Sequence, residues 1–122
     1  METPIMKYDE PGDALYISFA PGEKATGIEL NPSLLLRVNK TDRRAVGLTI
    51  FNYSFLVQQT ELGLRSLPLT GLRALSEELR ELVLEILRRS PVNDLLAVSA
   101  YTPSLTESIP IASVIVDARE LA

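Results

Sequence analysis

SLLLRVNKTDRRAVGLTIF, residues 33–51, reads as two strands and the turn between them. Leu34, Leu36 and Val38 alternate with Leu35 and Arg37. After a polar stretch over residues 39–44, Val46, Leu48 and Ile50 alternate with Gly47, Thr49 and Phe51. A period of two places each apolar set on one face of a pleated strand. The stretch predicts an antiparallel hairpin with one apolar face, and that face needs a cover from elsewhere in the chain.

Upstream, Leu15, Ile17 and Phe19 alternate with Ala14, Tyr16 and Ser18, the clearest strand in the chain. A turn at residues 20–24 leads to a shorter strand over residues 25–30, expected to pair back on it antiparallel. Asn31 and Pro32 interrupt that strand. All eight prolines fall at predicted changes of direction, as expected of a residue with fixed φ and no N–H.

The cover for the sheet is legible downstream. Leu72, Leu75, Leu79, Leu82 and Ile86 advance by three and four, with Val83 and Leu87 beside them, which predicts an amphipathic helix over residues 71–89. Thr70 is the expected N-cap, Arg88 and Arg89 complement the C-terminal dipole, and Pro91 ends the run. Arg73 with Glu77 and Glu85 with Arg89 are spaced as i,i+4 pairs, and Leu84 falls on the outer side. The seam is too short for an autonomous coiled coil. Residues 57–70 read as a connection, and LLAVSAY and IPIASVIVD, within residues 92–122, as two further strands that extend the sheet or exchange with a second subunit. The predicted class is α+β: an antiparallel β-meander on one amphipathic helix, within a single domain of residues 1–122.

Composition removes several chemistries. The 122 residues include no Cys and no His, so disulfides, thiolate nucleophiles, His-based triads and zinc chemistry are excluded. Ser and Thr have no neighbouring motif that would activate them. The formal charge is −4, made of −1 over residues 1–56 and −3 over the remainder, with no basic stripe. Duplex nucleic acid is therefore not an expected partner. Arg43-Arg44 and Arg88-Arg89 read as a solvated turn and a helix end. No apolar run approaches the ~20 residues of a bilayer span, and residues 1–5 show no leader pattern, so a cytoplasmic protein is expected.

YDEPGDALYISF, residues 8–19, together with SLLLRVNKTDRRAVGLTIFN, resembles a small prokaryotic family catalogued as domain of unknown function 2283. The resemblance covers roughly residues 6–56 and rests on Tyr8, Asp9, Asp13, Ala14, Leu15, Tyr16, Ile17, Asp42, Val46, Gly47 and Ile50. Such sequences usually carry a glycine where this chain has Arg43 and Arg44, and a glutamate where it has Thr49. The resemblance implies no reaction and no cofactor. It does imply an antitoxin-like or partner-binding role, since some members are encoded beside small toxin-like proteins.

Two functional readings follow. Asp9, Glu10 and Asp13 are three carboxylates within five residues, and with Asp42 they are the candidates for a small-ligand or divalent-cation site or a carboxylate-based enzyme. Asp9-Glu10-Pro11-Gly12 has β-turn composition and no EF-hand spacing, which favours a turn over a metal site. Tyr16, Leu35 and Phe51 lie on the strand faces opposite the predicted helix. Three apolar side chains on neighbouring strands form a patch that predicts a homodimer or small-protein interface. The expected function is a non-catalytic protein-interaction module with no cofactor.

Overall fold

The computed structural model describes residues 4–115. Five antiparallel strands, β1 (Ile5–Asp9), β2 (Ala14–Ser18), β3 (Thr26–Asn31), β4 (Leu34–Asn39) and β5 (Arg44–Phe51), form one sheet in the order β1-β2-β5-β4-β3. The hairpin of β4 and β5 forms with Leu34 opposite Ile50 and Leu36 opposite Leu48. On the other side of β5, Leu15 meets Ile50 and Ile17 meets Leu48, so one apolar face runs across the sheet.

The meander needs two corrections. Residues 5–9 form a strand that the sequence pattern did not reveal, and β3 pairs with β4 rather than with β2. Both edges of β2 are already taken, by β1 and β5, so the chain crosses to the far edge before it winds back. The alternation also slips once. Between Arg37↔Gly47 and Val38↔Ala45 the register shifts, so Ala45 joins the core. The Val46 carbonyl turns aside to accept the N–H groups of Phe19 (2.9 Å) and Ala20 (3.3 Å), the mark of a β-bulge.

Five strands at about 4.8 Å spacing make a floor roughly 19 Å across, about twice the width of one helix. A single helix cannot cover it. Beyond β5 the chain makes a short helix α1 (Tyr53–Leu56), a small hairpin of β6 (Gln59–Thr60) and β7 (Gly63–Leu64), then strand β8 (Leu67–Pro68) and a 3-10 turn at Thr70–Ala74. Helix α2 occupies Glu77–Leu87. The expected helix over residues 71–89 is thus shortened at its start: Ser76, not Thr70, is the N-cap, and its side chain accepts the Leu79 N–H. Glu77 and Glu78 follow in the first turn, where they favour the dipole. Tyr53, Leu56, Leu69, Leu72, Leu82, Val83, Ile86 and Leu87 all bury against the strand face. Leu84, expected outside, is half-buried against the same core.

The chain is extended at Leu75 and Ser76, which separates the 3-10 turn from α2, and Gly71 seats that turn on the sheet. A Cβ there would stand 1.9 Å from the Glu29 carbonyl oxygen and 3.0 Å from that of Leu30, so the 3-10 turn lies backbone to backbone on β3. Asn31 ties the same region: its side-chain amide donates to the Pro68 carbonyl (3.1 Å), and its Oδ1 accepts the Ser33 N–H (2.8 Å).

Strands β9 (Leu96–Ser104) and β10 (Glu107–Val114) do form, but they do not extend the first sheet. They make a second sheet in the order β8-β10-β9. Leu96, Ala112 and Val114 at its root complete the cover of the five-stranded floor, which is why the hairpin stays on the helix side. Among the described residues no helix is long and apolar enough to cross a membrane.

The β4–β5 turn docks on α2 through charge. Arg43 pairs with Glu85 (2.6 Å), Arg89 pairs with Glu85 (2.8 Å), and the Arg89 guanidinium also donates to the Arg43 carbonyl. The hydrogen bond from Arg43 is the largest cause holding the Glu85 carboxyl below its ordinary pKa. Arg73 and Glu77 make no such pair, because Arg73 lies in the 3-10 turn. Arg43 adopts φ 54°, the left-handed region where glycine sits without strain. Arg44 pairs with Glu23 and, at 3.6 Å, with Asp42.

Substituting Gly71→Ala should destabilise the fold by about 2–3 kcal/mol in urea denaturation, since the clash is with backbone and cannot be relieved by a rotamer change. At position 43 the usual order should invert. Arg43→Gly and Arg43→Ala lose the same ion pair, and the glycine variant should be the more stable by about 1 kcal/mol, measured as the difference in denaturation midpoint times slope.

Candidate interaction surface

The inward alternation of the five strands leaves the opposite residues on an outer face. Cross-strand register builds it row by row: Lys7 faces Tyr16, Tyr16 faces Thr49, Thr49 faces Leu35 and Leu35 faces Glu29. Phe51 lies one row away, opposite Ala14. Tyr16 is 41% exposed and Phe51 36%, while Leu35 is half-buried and Thr49 buried between its neighbours. The structure thus brings Tyr16, Leu35 and Phe51 onto one face, with Ile5 exposed at its edge.

Arg37 was not singled out by its sequence position, yet it shapes this face. A Cβ at Gly47 would stand 2.3 Å from Arg37 Nη2 and 2.9 Å from Cζ, so the guanidinium lies over the bare backbone of Gly47. Its Nε is buried and has no hydrogen-bond partner among the described residues. A lone glycine within a strand is the sequence signal for such close approach.

The acidic turn behaves otherwise. Asp13, at φ 49°, turns its carboxylate back into the protein. Oδ1 accepts the Tyr8 hydroxyl (2.7 Å) and the Ser54 N–H (2.9 Å), and Oδ2 accepts the Ser54 hydroxyl (2.7 Å). The Asp13 carbonyl accepts the Tyr53 N–H (3.1 Å). The side chain of Asn52, the N-cap of α1, makes no cap, so Asp13 caps the helix through the N–H of Ser54, 41 residues on. The rings of Tyr8 and Tyr53 pack beside this knot at a centroid separation of 5.6 Å.

Asp9 folds toward the turn, where a Cβ at Gly12 would meet its Oδ2 at 2.5 Å, and Glu10 is exposed. Both line an open hollow with Lys7, Tyr8, Pro11 and Tyr16. Asp42 sits beyond the other end of β5, whose eight residues span roughly 23 Å at about 3.3 Å per residue. The four carboxylates are not brought together. Among the described residues no cluster of three or more acidic groups is placed to hold a metal ion.

With the sheet and its knot in view, comparison with known proteins locates the chain. Residues 5–54 match the family described as Protein of unknown function (DUF2283). The matched DUF2283 segment is the five-stranded sheet as far as Ser54, the residue that closes the Asp13 knot. Helix α2 and the second sheet lie outside it. No curated protein and no solved structure matches the chain.

Because Asp13 anchors α1 to the first turn, Asp13→Ala should cost about 2–4 kcal/mol in urea denaturation, from three lost charge-assisted bonds and a left-handed backbone without Asp. Glu10→Ala, three residues before Asp13 and with an exposed side chain, should change stability by less than about 0.5 kcal/mol in the same assay.

Proposed function

We propose that the protein is a non-catalytic interaction module that self-associates as a homodimer through the outer face of its five-stranded sheet. The observation that carries this reading is the exposure of Tyr16 and Phe51 beside Leu35 on a face that the chain's own helix and C-terminal hairpin leave open. Thr49 supports it. Similar sequences usually place a glutamate at this central position, and an uncharged residue removes the charge whose desolvation would oppose contact. The same apolar centre with a charged rim of Lys7, Arg37 and Glu29 suits a small protein partner of the toxin-like kind that the family resemblance implies.

A second location for the same activity has its own observation. Among the described residues strand β9 pairs only with β10, leaving its other edge open, and residues 96–106 contain no charged side chain. Ala97 and residues 99–104 are exposed, Tyr101 by 54%. Natural edge strands are usually guarded by charge or proline, and here Pro103 guards only the tip, so residues 97–101 are suited to pairing with another chain.

Sedimentation velocity separates the two. The double variant Tyr16→Lys/Phe51→Lys should convert a wild-type dimer to a monomer with its melting temperature unchanged to within a few degrees, whereas Ser99→Lys/Tyr101→Lys should leave the dimer intact. The reverse pattern moves the interface to the β9 edge. A wild-type chain that sediments as a monomer at every concentration reached defeats the self-association reading.

A further inference from the structure

We propose that a hollow of about 290 Å³ between the 3-10 turn, α2 and the first half of β10 binds a small aliphatic monocarboxylate. Its walls are mainly apolar, from Leu72, Leu84, Ile109 and Pro110 with Thr70 and Ser108 between them, and its two charged residues are both cations, Arg73 and Arg80. Among the described residues no carboxylate lines it. In a chain whose formal charge is −4, two arginines converging without an acid are a local exception.

Arg80 is held in place rather than neutralised. Its Nε donates to the Leu72 carbonyl (3.0 Å) and its Nη2 to the Leu75 carbonyl (3.0 Å), which fix the guanidinium plane but carry no net charge. Neither arginine forms an ion pair with a carboxylate among the described residues. A positioned guanidinium is suited to a carboxylate, and the second cation adds to the field at the same point. The aliphatic walls then favour a ligand with an apolar body, and the volume stands at the lower limit of small-molecule pockets. Leu84 acquires a role here: half-buried on α2, it forms the wall facing Ile109 and Pro110.

The site lies apart from the outer sheet face, so its fate and that of the homodimer reading are independent. Amide-shift titration of the full chain with hexanoate, hexan-1-ol and acetate tests it. Hexanoate should give saturable shifts centred on residues 69–73, 80–84 and 108–110. Hexan-1-ol, which lacks the charge, and acetate, which lacks the chain, should each bind about tenfold or more weaker. Arg80→Gln also removes two carbonyl hydrogen bonds, so the exposed Arg73→Gln carries the mutational arm. It should weaken hexanoate by about tenfold while leaving hexan-1-ol binding and the melting temperature unchanged. Equal affinities for hexanoate and hexan-1-ol, shifts that map elsewhere, or an Arg73→Gln variant that binds hexanoate as the wild type does would overturn the proposal.

Discussion

A pleated floor with one apolar face is the constraint on which the rest of this structure depends. Leu15, Ile17, Leu34, Leu36, Leu48 and Ile50 all point to the same side, and burying each is worth about 1.5–3 kcal/mol relative to leaving it in water. No single element of the remaining chain is wide enough to shield them. The cover is therefore assembled from several pieces: α1, the 3-10 turn, α2 and the root of a hairpin. Each piece is small, and each needs its own attachment. Gly71 allows backbone contact with β3, Asn31 holds the strand before α2, and the Arg43, Glu85 and Arg89 group fastens the β4–β5 turn to the helix.

The same one-sidedness organises the functional surfaces. Once the inner face is committed to the core, alternation sends Tyr16, Leu35 and Phe51 outward, because a strand cannot bury one set without presenting the other. A patchwork cover also leaves seams. The hollow lined by Arg73 and Arg80 is one of these, lying where the 3-10 turn, α2 and β10 meet without filling the space between them. The hairpin arm is the remainder of an element whose root belongs to the core and whose tip does not.

Asp13 shows how an acidic residue in a turn serves the fold. A carboxylate that accepts three hydrogen bonds from Tyr8 and Ser54 has its lone pairs directed at protein donors rather than at an ion. The knot joins the first hairpin to the exit of β5, so strands distant in sequence are held together by one side chain. In the sequence Asp13 stands beside Asp9 and Glu10 as one of three equivalent acids. Their difference arises from φ 49° at Asp13 and from Ser54, neither of which a local pattern of charges can show.

The alternating residues of β2, β4 and β5 and the three-and-four spacing within α2 were decided by the sequence itself, because side-chain direction in a strand or helix follows from local backbone geometry. The outer placement of Tyr16, Leu35 and Phe51 follows from the same rule. Strand order, the separate second sheet, the late start of α2 at Ser76, the position of Arg37 over Gly47 and the inward place of Leu84 were decided only in three dimensions. These depend on which edges remain unpaired, how wide a floor must be covered and how closely two backbones approach. Such quantities belong to pairs of distant segments, and periodicity within one segment carries no record of them.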